Sequence, residues 1–220
     1  MNTDTTIKNR KTQKVLAEAP FSTDLAEDKL RALVDELLDL AAHAPYHYPV
    51  HRQYIAEKEL NSTMPFRFYV LGPEKCRATS AYATEAQIEA GKLKLMLDAA
   101  DALFIVTWLP EPSEVNRDGI KRQATYIGNA QNMEHIAATG AAIQNVLIGA
   151  TARNLPNYWS SGGQLRGPEL REYLGIPADE IIAGTVFIFP EDAAQRGARI
   201  IPGGMRQLGK ERDTWSRWID

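Results

Sequence analysis

Cysteine is almost missing from this chain: Cys76 stands alone among 220 residues. One thiol cannot close an intrachain disulfide, so the fold relies on its core, which suits a reducing compartment. An excess of positive charge is missing too. Twenty-five Lys and Arg against 28 Asp and Glu leave a net charge of −3, which gives no basic footprint for nucleic acid. No apolar run approaches the roughly 20 residues that a membrane helix needs. The opening MNTDTTIKNRK lacks the apolar segment of a secretory leader. The expectation is a cytoplasmic protein with no membrane or nucleic-acid partner. Two nucleotide-binding signatures, G-x-G-x-x-G after a strand and the Walker pattern, are absent, as is any internal repeat. Ser161 lacks the G-x-S-x-G elbow, and Cys76 has no base near it in sequence. No nucleophilic triad suggests itself.

What is present is an ordinary globular balance, 44% hydrophobic and 24% charged, long enough for one core without staples. The chain is organised around Asn132 to Gly163. Ile136, Gly140, Ile143, Leu147 and Ala150 recur every three or four residues, a helical period. Ala137, Ala138, Ala141, Ala142 and Ile148 make the other side small or apolar as well, so this helix is expected to be buried on several sides. Asn154 and Pro156 stop it, and NYWSSGG, Asn157 to Gly163, reads as a polar glycine-rich turn at its mouth. Such a turn can hold a flat ligand against backbone amides.

Elsewhere, Leu25 to Ala44 reads as an amphipathic helix capped by Ser22, Thr23 or Asp24 and ended by Ala44-Pro45. Phe66 to Leu71 is a strand, Glu74 to Ala99 a helix, and Ala102 to Trp108 a buried strand. Ser113-Glu114 can start another helix, and Asn116 to Asn129 reads as a loop or lid. Pro168 to Tyr173 makes a short helix with a tight exit at Leu174-Gly175-Ile176-Pro177, and Ile181 to Phe189 a third apolar strand. Gly203-Gly204 is a flexible joint before the charged tail Lys210 to Asp220. Strands separated by helices indicate an α+β or α/β sandwich.

Few residues advertise chemistry. His43, His47 and His51 are four apart, but Pro45 and Pro49 break any helix that would align them, so they read as loop-lining groups. Asp98 and Asp101 read as caps or surface charges. Lys8, Arg10, Lys11 and Lys14 crowd the first turns; they form either a solvated, frayed terminus or an anion clamp.

The order of the short motifs says more. Arg10, Thr12 and Lys14 form R-x-T-x-K, followed by a helix ending in Ala44-Pro45 and by Met64-Pro65-Phe66-Arg67-Phe68 opening a strand. A small-residue helix then leads to Trp159-Ser160-Ser161-Gly162, to Leu174-Gly175-Ile176-Pro177, to a strand, and to a late K-x-R at Lys210 and Arg212. Over nearly its whole length the chain resembles the FMN-dependent nitroreductase family. The resemblance implies one flavin-binding domain over residues 1–220: an α+β sandwich with a central, mostly antiparallel sheet flanked by helices. It also implies a homodimer with FMN at each interface, and NAD(P)H as co-substrate for a nitroaromatic or quinone-type acceptor. By matching positions, Arg10, Lys11, Thr12, Lys210 and Arg212 would grip the phosphate and ribityl chain. Lys14 would lie at the pyrimidine edge, and Ser160, Ser161 and Gly162 against the ring, with a backbone N–H reaching N5. No side chain is expected to act as a general acid.

One motif departs from the family. Where N-x-Q-P-W is usual, this chain has Asn61-Ser62-Thr63-Met64-Pro65-Phe66, with Met64 for the glutamine and Phe66 for the tryptophan. Asn61 and Pro65 remain candidate flavin contacts. The preceding segment, Tyr46 to Leu60, is longer than the family's connection and carries Tyr46, His47, Tyr48 and His51. These departures leave two alternatives: a specialised flavin dehalogenase or dehydrogenase, and a flavin carrier or sensor without turnover.

Overall fold

The computed structural model describes residues 2–23, 25–56, 58–111, 128–205 and 215–219. Four strands form its main sheet: β2 (Phe66–Leu71), β3 (Ala102–Trp108), β4 (Asn157–Ser160) and β5 (Ile181–Ile188). Their spatial order is β2-β3-β5-β4, with every neighbouring pair antiparallel. β3 is central and covered on both faces, so all seven of its residues are buried. That is why ALFIVTW shows no polar alternation in sequence.

One face carries α2 (Glu27–Ala42) and the long α5 (Ala130–Ala152). Ala142, Ile143, Val146, Leu147 and Ala150 of α5 pack there with Phe104, Val106, Val186 and Ile188 of the sheet. Small residues on α5 let α2 approach. A Cβ on Gly149 would lie 2.4 Å from Leu40 Cδ1 and 3.0 Å from Leu37 Cδ2. The other face carries α3 (Pro73–Glu85), α4 (Lys92–Ala99) and α6 (Pro168–Tyr173), over a second core that includes Leu97, Leu103, Ile105, Leu165 and Phe187. This is the expected α+β sandwich with a central antiparallel sheet.

Several local expectations need correction. α2 begins after Ala26 with no side-chain cap, so neither Ser22 nor Thr23 caps it, and Asp24 lies outside the described residues. The single helix expected over Glu74 to Ala99 is two helices. The chain breaks between them at Gln87 (φ 55°) and Gly91 (φ 49°), both in the left-handed region. Half of the expected glycine turn is a strand, since Asn157 to Ser160 pair with β5. Asp98 is buried and bonded to Lys94 Nζ at 2.6 Å, so it is no surface charge. The expected helix start at Ser113-Glu114 and most of the Asn116–Asn129 loop lie outside the described residues.

The first residues are also more ordered than a frayed terminus. α1 (Thr3–Asn9) is capped by Asn2, whose Oδ1 accepts from Thr5 N at 2.9 Å. Then β1 (Gln13–Leu16) pairs antiparallel with β6 (Arg199–Pro202), with Lys14 opposite Ile201. Gly203 N donates to Thr12 O at 2.9 Å, and a Cβ on Gly203 would fall 2.7 Å from Thr12 Cβ. Among the described residues, no helix is long and apolar enough to cross a membrane.

Candidate functional site at one end of the sheet

The strand directions gather four chain segments at one end of the main sheet. Phe66 begins β2 opposite Trp108, which ends β3; Trp108 in turn faces Ile181, which begins β5. β4 ends at Ser160, opposite Thr185 of β5. The Asn61–Pro65 segment, the exit from β3, the entry to β5 and the serine–glycine bend therefore share this end. The two outer segments sit on edge strands, about 14 Å apart at ordinary strand spacing.

The bend itself is backbone chemistry. Gly162 has φ 106° and Gly163 φ 50°, where a side chain is disfavoured. Open space lies within 4 Å of where a Cβ on Gly163 would point. Gly162 N meets Ser160 Oγ at 3.2 Å. Just before the bend, Trp159 lies over Gly184 of β5: a Cβ there would sit 2.3 Å from the indole nitrogen. Across from Ser160, the buried Thr185 hydroxyl has no partner among the described residues.

The N-terminal basic motif reaches this neighbourhood through β1. Lys14 Nζ lies 4.9 Å from the ring centroid of Tyr158, a cation–π distance, and Tyr158 is two residues before Ser160 on the same face of β4. Arg10 is half-buried at the C-terminal end of α1, its N–H bonded to Thr6 O at 2.9 Å. Lys11 is exposed and Thr12 half-buried. Lys210 and Arg212 lie outside the described residues; the segment leading to them starts at Gly203, against Thr12. Lys14 is thus brought against β4, the strand that leads into the bend, and Arg10, Lys11 and Thr12 lie between α1 and β1, just before that strand begins.

Asn61 and Pro65 stand at the opposite edge. Asn61 is exposed, while Pro65 is buried and its carbonyl accepts from Leu109 N at 3.0 Å. A residue that reads in sequence only as part of a strand opening holds this segment. Arg67 is 5% exposed. Its Nη1 donates to Met64 O (2.8 Å) and Phe66 O (2.9 Å), and its Nη2 to Ser62 O (2.9 Å) and Leu60 O (3.3 Å). One guanidinium therefore shapes the whole 60–66 turn. Nothing in sequence marks it, because its partners are carbonyls that every residue type has.

Beside Arg67 lies a buried carboxylate, Glu180. It accepts from Tyr69 Oη at 2.8 Å and from Thr107 Oγ1 at 2.5 Å. Burial pushes its pKa above the ordinary carboxylate range, although those two donors and the charge of Arg67 oppose the shift. Arg171 Nη2 donates to Glu180 O at 3.0 Å and also to Pro177 O. The entry to β5 is fixed by these contacts.

The long 46–64 segment packs at the same end. Val50, Tyr54 and Leu109 form a small core. Tyr54 Oη donates to Pro110 O at 2.9 Å, and burial raises its pKa. His47 Nδ1 meets Glu134 Oε2 of α5 at 2.6 Å, and His51 Nδ1 accepts from Gln53 N at 3.3 Å. His43 closes α2. The three histidines thus serve separate local contacts. A fourth, His135, is buried on α5, with Nδ1 2.8 Å from Leu109 O. Cys76 is buried, which pushes its thiol up to about 12, so it is no nucleophile near neutral pH.

Comparison with known proteins agrees with this architecture. The Nitroreductase family model matches residues 7–188. A nitroreductase-like family protein from Bacillus cereus superposes with a TM-score of 0.62 at 20% identity, covering 100% of this chain and 97% of that one. A protein from Desulfovibrio desulfuricans, whose structure holds FMN, superposes with a TM-score of 0.55 at 17% identity and 96% coverage of each chain. Nitroreductase A from Vibrio parahaemolyticus gives 0.53 at 15% identity, covering 86% of this chain and 68% of its own. No curated protein matches by sequence. With the family model spanning both the N-terminal basic strand and the serine–glycine bend, this chain belongs to the nitroreductase family.

Proposed function

We propose that the protein is an FMN-dependent oxidoreductase that uses NAD(P)H to reduce nitroaromatic or quinone-type acceptors. In this reading residues 1–220 form one flavin-binding domain that works as a homodimer. The observation that carries it is the meeting of β1 with β4, the strand that leads into the bend: Lys14 lies over Tyr158, two residues before Ser160. In support, Gly203 bonds Thr12, so the chain leading to Lys210 and Arg212 starts beside the N-terminal motif.

The donor set suits a flat ligand with a phosphate tail. Arg10, Lys11, Thr12, Lys210 and Arg212 would bind the phosphate and ribityl chain, where several cations match a dianion. Lys14 would supply positive charge at the pyrimidine edge, favouring the reduced, anionic ring. Ser160, Ser161 and Gly162 would carry the ring and donate a backbone N–H to it. Asn61 and Pro65 are the weaker contacts, and Arg67 would fix their turn. FMN, when bound, supplies the hydride acceptance and donation; the protein binds, orients and shields. Met133 and Ile136, one turn apart on α5, are 61% and 38% exposed, apolar surface that a second subunit would cover.

The test is direct. Purified protein mixed with FMN should turn yellow and retain flavin through gel filtration, and anaerobic NADH or NADPH should bleach it. Parallel lines in double-reciprocal plots are expected for two substrates sharing one flavin face; intersecting lines argue against that. Bound flavin that neither nucleotide bleaches would favour a carrier or sensor. The packing of the 46–64 segment onto Leu109 and Glu134 favours a second reading within enzymes, a specialised dehalogenase or dehydrogenase. Turnover across acceptor classes separates it from a general nitroreductase.

A further inference from the structure

Arg166 ends the short 3₁₀ turn Gly163–Arg166 and folds back over Gly162. A Cβ on Gly162 would lie 3.2 Å from Arg166 Cγ and 3.3 Å from its Nε. Nε of Arg166 donates to Ser161 O, and Nη2 donates to Ala183 O at 3.2 Å. The β4–β5 pairing ends at Ser160 opposite Thr185; continued, its register would set Gly162 opposite Ala183. The guanidinium therefore bridges the two segments just where the strand pairing stops. A planar fork can hold two carbonyls at once, which an ammonium does poorly.

The consequence lies in the peptide plane. All described peptide bonds are trans, so the Ser161 C=O and the Gly162 N–H point in opposite directions. Holding the carbonyl sets the direction of the N–H. On the other side, that N–H has, among the described residues, only the 3.2 Å contact to Ser160 Oγ, which a rotation of the serine side chain about χ1 can release to a ligand acceptor.

We propose that Arg166 is a positioning residue that, by gripping the Ser161 carbonyl, aims the Gly162 N–H at the ring edge of the flavin. This rests on the reading of the bend as the flavin platform. Reduction places a proton on ring nitrogen N5, so N5 is a much better hydrogen-bond acceptor in the oxidised flavin. A correctly aimed N–H thus stabilises the oxidised form and orients the ring.

The test uses the full-length protein loaded with FMN, comparing wild type with Arg166→Gln and Arg166→Lys. Melting temperature is measured in parallel, because Arg166 also braces the turn. Both variants are expected to keep FMN, to shift its visible absorption bands and to raise its midpoint potential. The Gln variant should lose on the order of tenfold in kcat, with KM for the acceptor little changed, as expected for lost orientation. Should Gln fail to fold, Lys, which keeps the charge and stem, carries the same readouts. Folded variants whose flavin spectrum, potential and kcat match wild type would overturn the inference while leaving the flavin reading standing. Wild-type protein that takes up no FMN would overturn the flavin reading itself, and this inference with it.

Discussion

Two buried side chains near the sheet end make opposite demands. Arg67 is charged, buried, and satisfied by four main-chain carbonyls. Replacing it with Met keeps the stem and removes every donor. Arg67→Met should cost about 1–3 kcal/mol, the range for orphaning buried polar groups, as read by urea unfolding. Arg67→Lys should recover little of this, since one ammonium cannot span the turn. Glu180 is the converse case, a carboxylate whose pKa burial raises. The native state therefore binds its proton more tightly than the unfolded chain does. Its contribution is fully present below the ordinary carboxylate pKa and is lost as pH rises through the higher native value. Glu180→Gln keeps an acceptor for Tyr69 and Thr107 without a charge. The stability difference, variant minus wild type, should grow from acid pH upward, measured by urea unfolding across a pH series. A flat difference would mean that Arg67 and the two donors fully offset the burial of the charge.

At the level of elements, the serine–glycine bend depends on close contact between β4 and β5. Gly184 leaves the space into which the Trp159 indole folds. A Cβ there would lie 2.3 Å from the indole nitrogen and 2.8 Å from the Ser160 carbonyl. The side chain can swing away, but the carbonyl belongs to the backbone. Gly184→Ala should destabilise by about 1–3 kcal/mol, the usual cost of overpacking. It should also shift tryptophan fluorescence, because Trp159 must leave its seat; an unchanged spectrum with full stability would contradict the packing described. This contact was not legible in sequence. Gly184 sits in an apolar run that reads simply as a strand, and only the β4–β5 register shows what lies above it. The same holds for β4, whose Asn-Tyr-Trp-Ser reads as a turn by composition and becomes a strand because β5 offers a free edge. The break between α3 and α4 was half hidden: Gly91 is a visible breaker, but Gln87 at φ 55° is not a residue type that signals a left-handed turn.

Across the whole molecule, the decisive feature is the pairing of β1 with β6, which joins residues nearly 190 apart in sequence. It sets the start of the C-terminal segment against the N-terminal basic motif. Under the proposed function, Arg10→Ala and Arg212→Ala should each weaken FMN binding by about 1–3 kcal/mol, the value for a charge-assisted hydrogen bond. Fluorescence titration of the flavin measures it, and unchanged affinity in both variants removes the phosphate clamp. The exposed Met133 and Ile136 lead to a second expectation at this scale. Sedimentation should show a dimer, and Met133→Lys with Ile136→Lys should shift it toward monomer; a monomer that still holds flavin would contradict a shared site.

Sequence alone determined the elements with a clear apolar period or run: the amphipathic helix that spans Glu27–Ala42, the strands at 66–71, 102–108 and 181–188, and the small-residue helix α5. Period and burial are local properties, written in consecutive residues. The order of short motifs likewise identified the family. Tertiary structure alone decided how β1 finds β6, how Trp159 seats on Gly184, and how Arg67, Glu180 and Arg166 act. Those side chains bind backbone carbonyls or distant partners, and a carbonyl carries no residue identity to be read in advance. The hydrogen bonds that shape this site are therefore fixed by where the fold brings the chain together, not by which residues are neighbours along it.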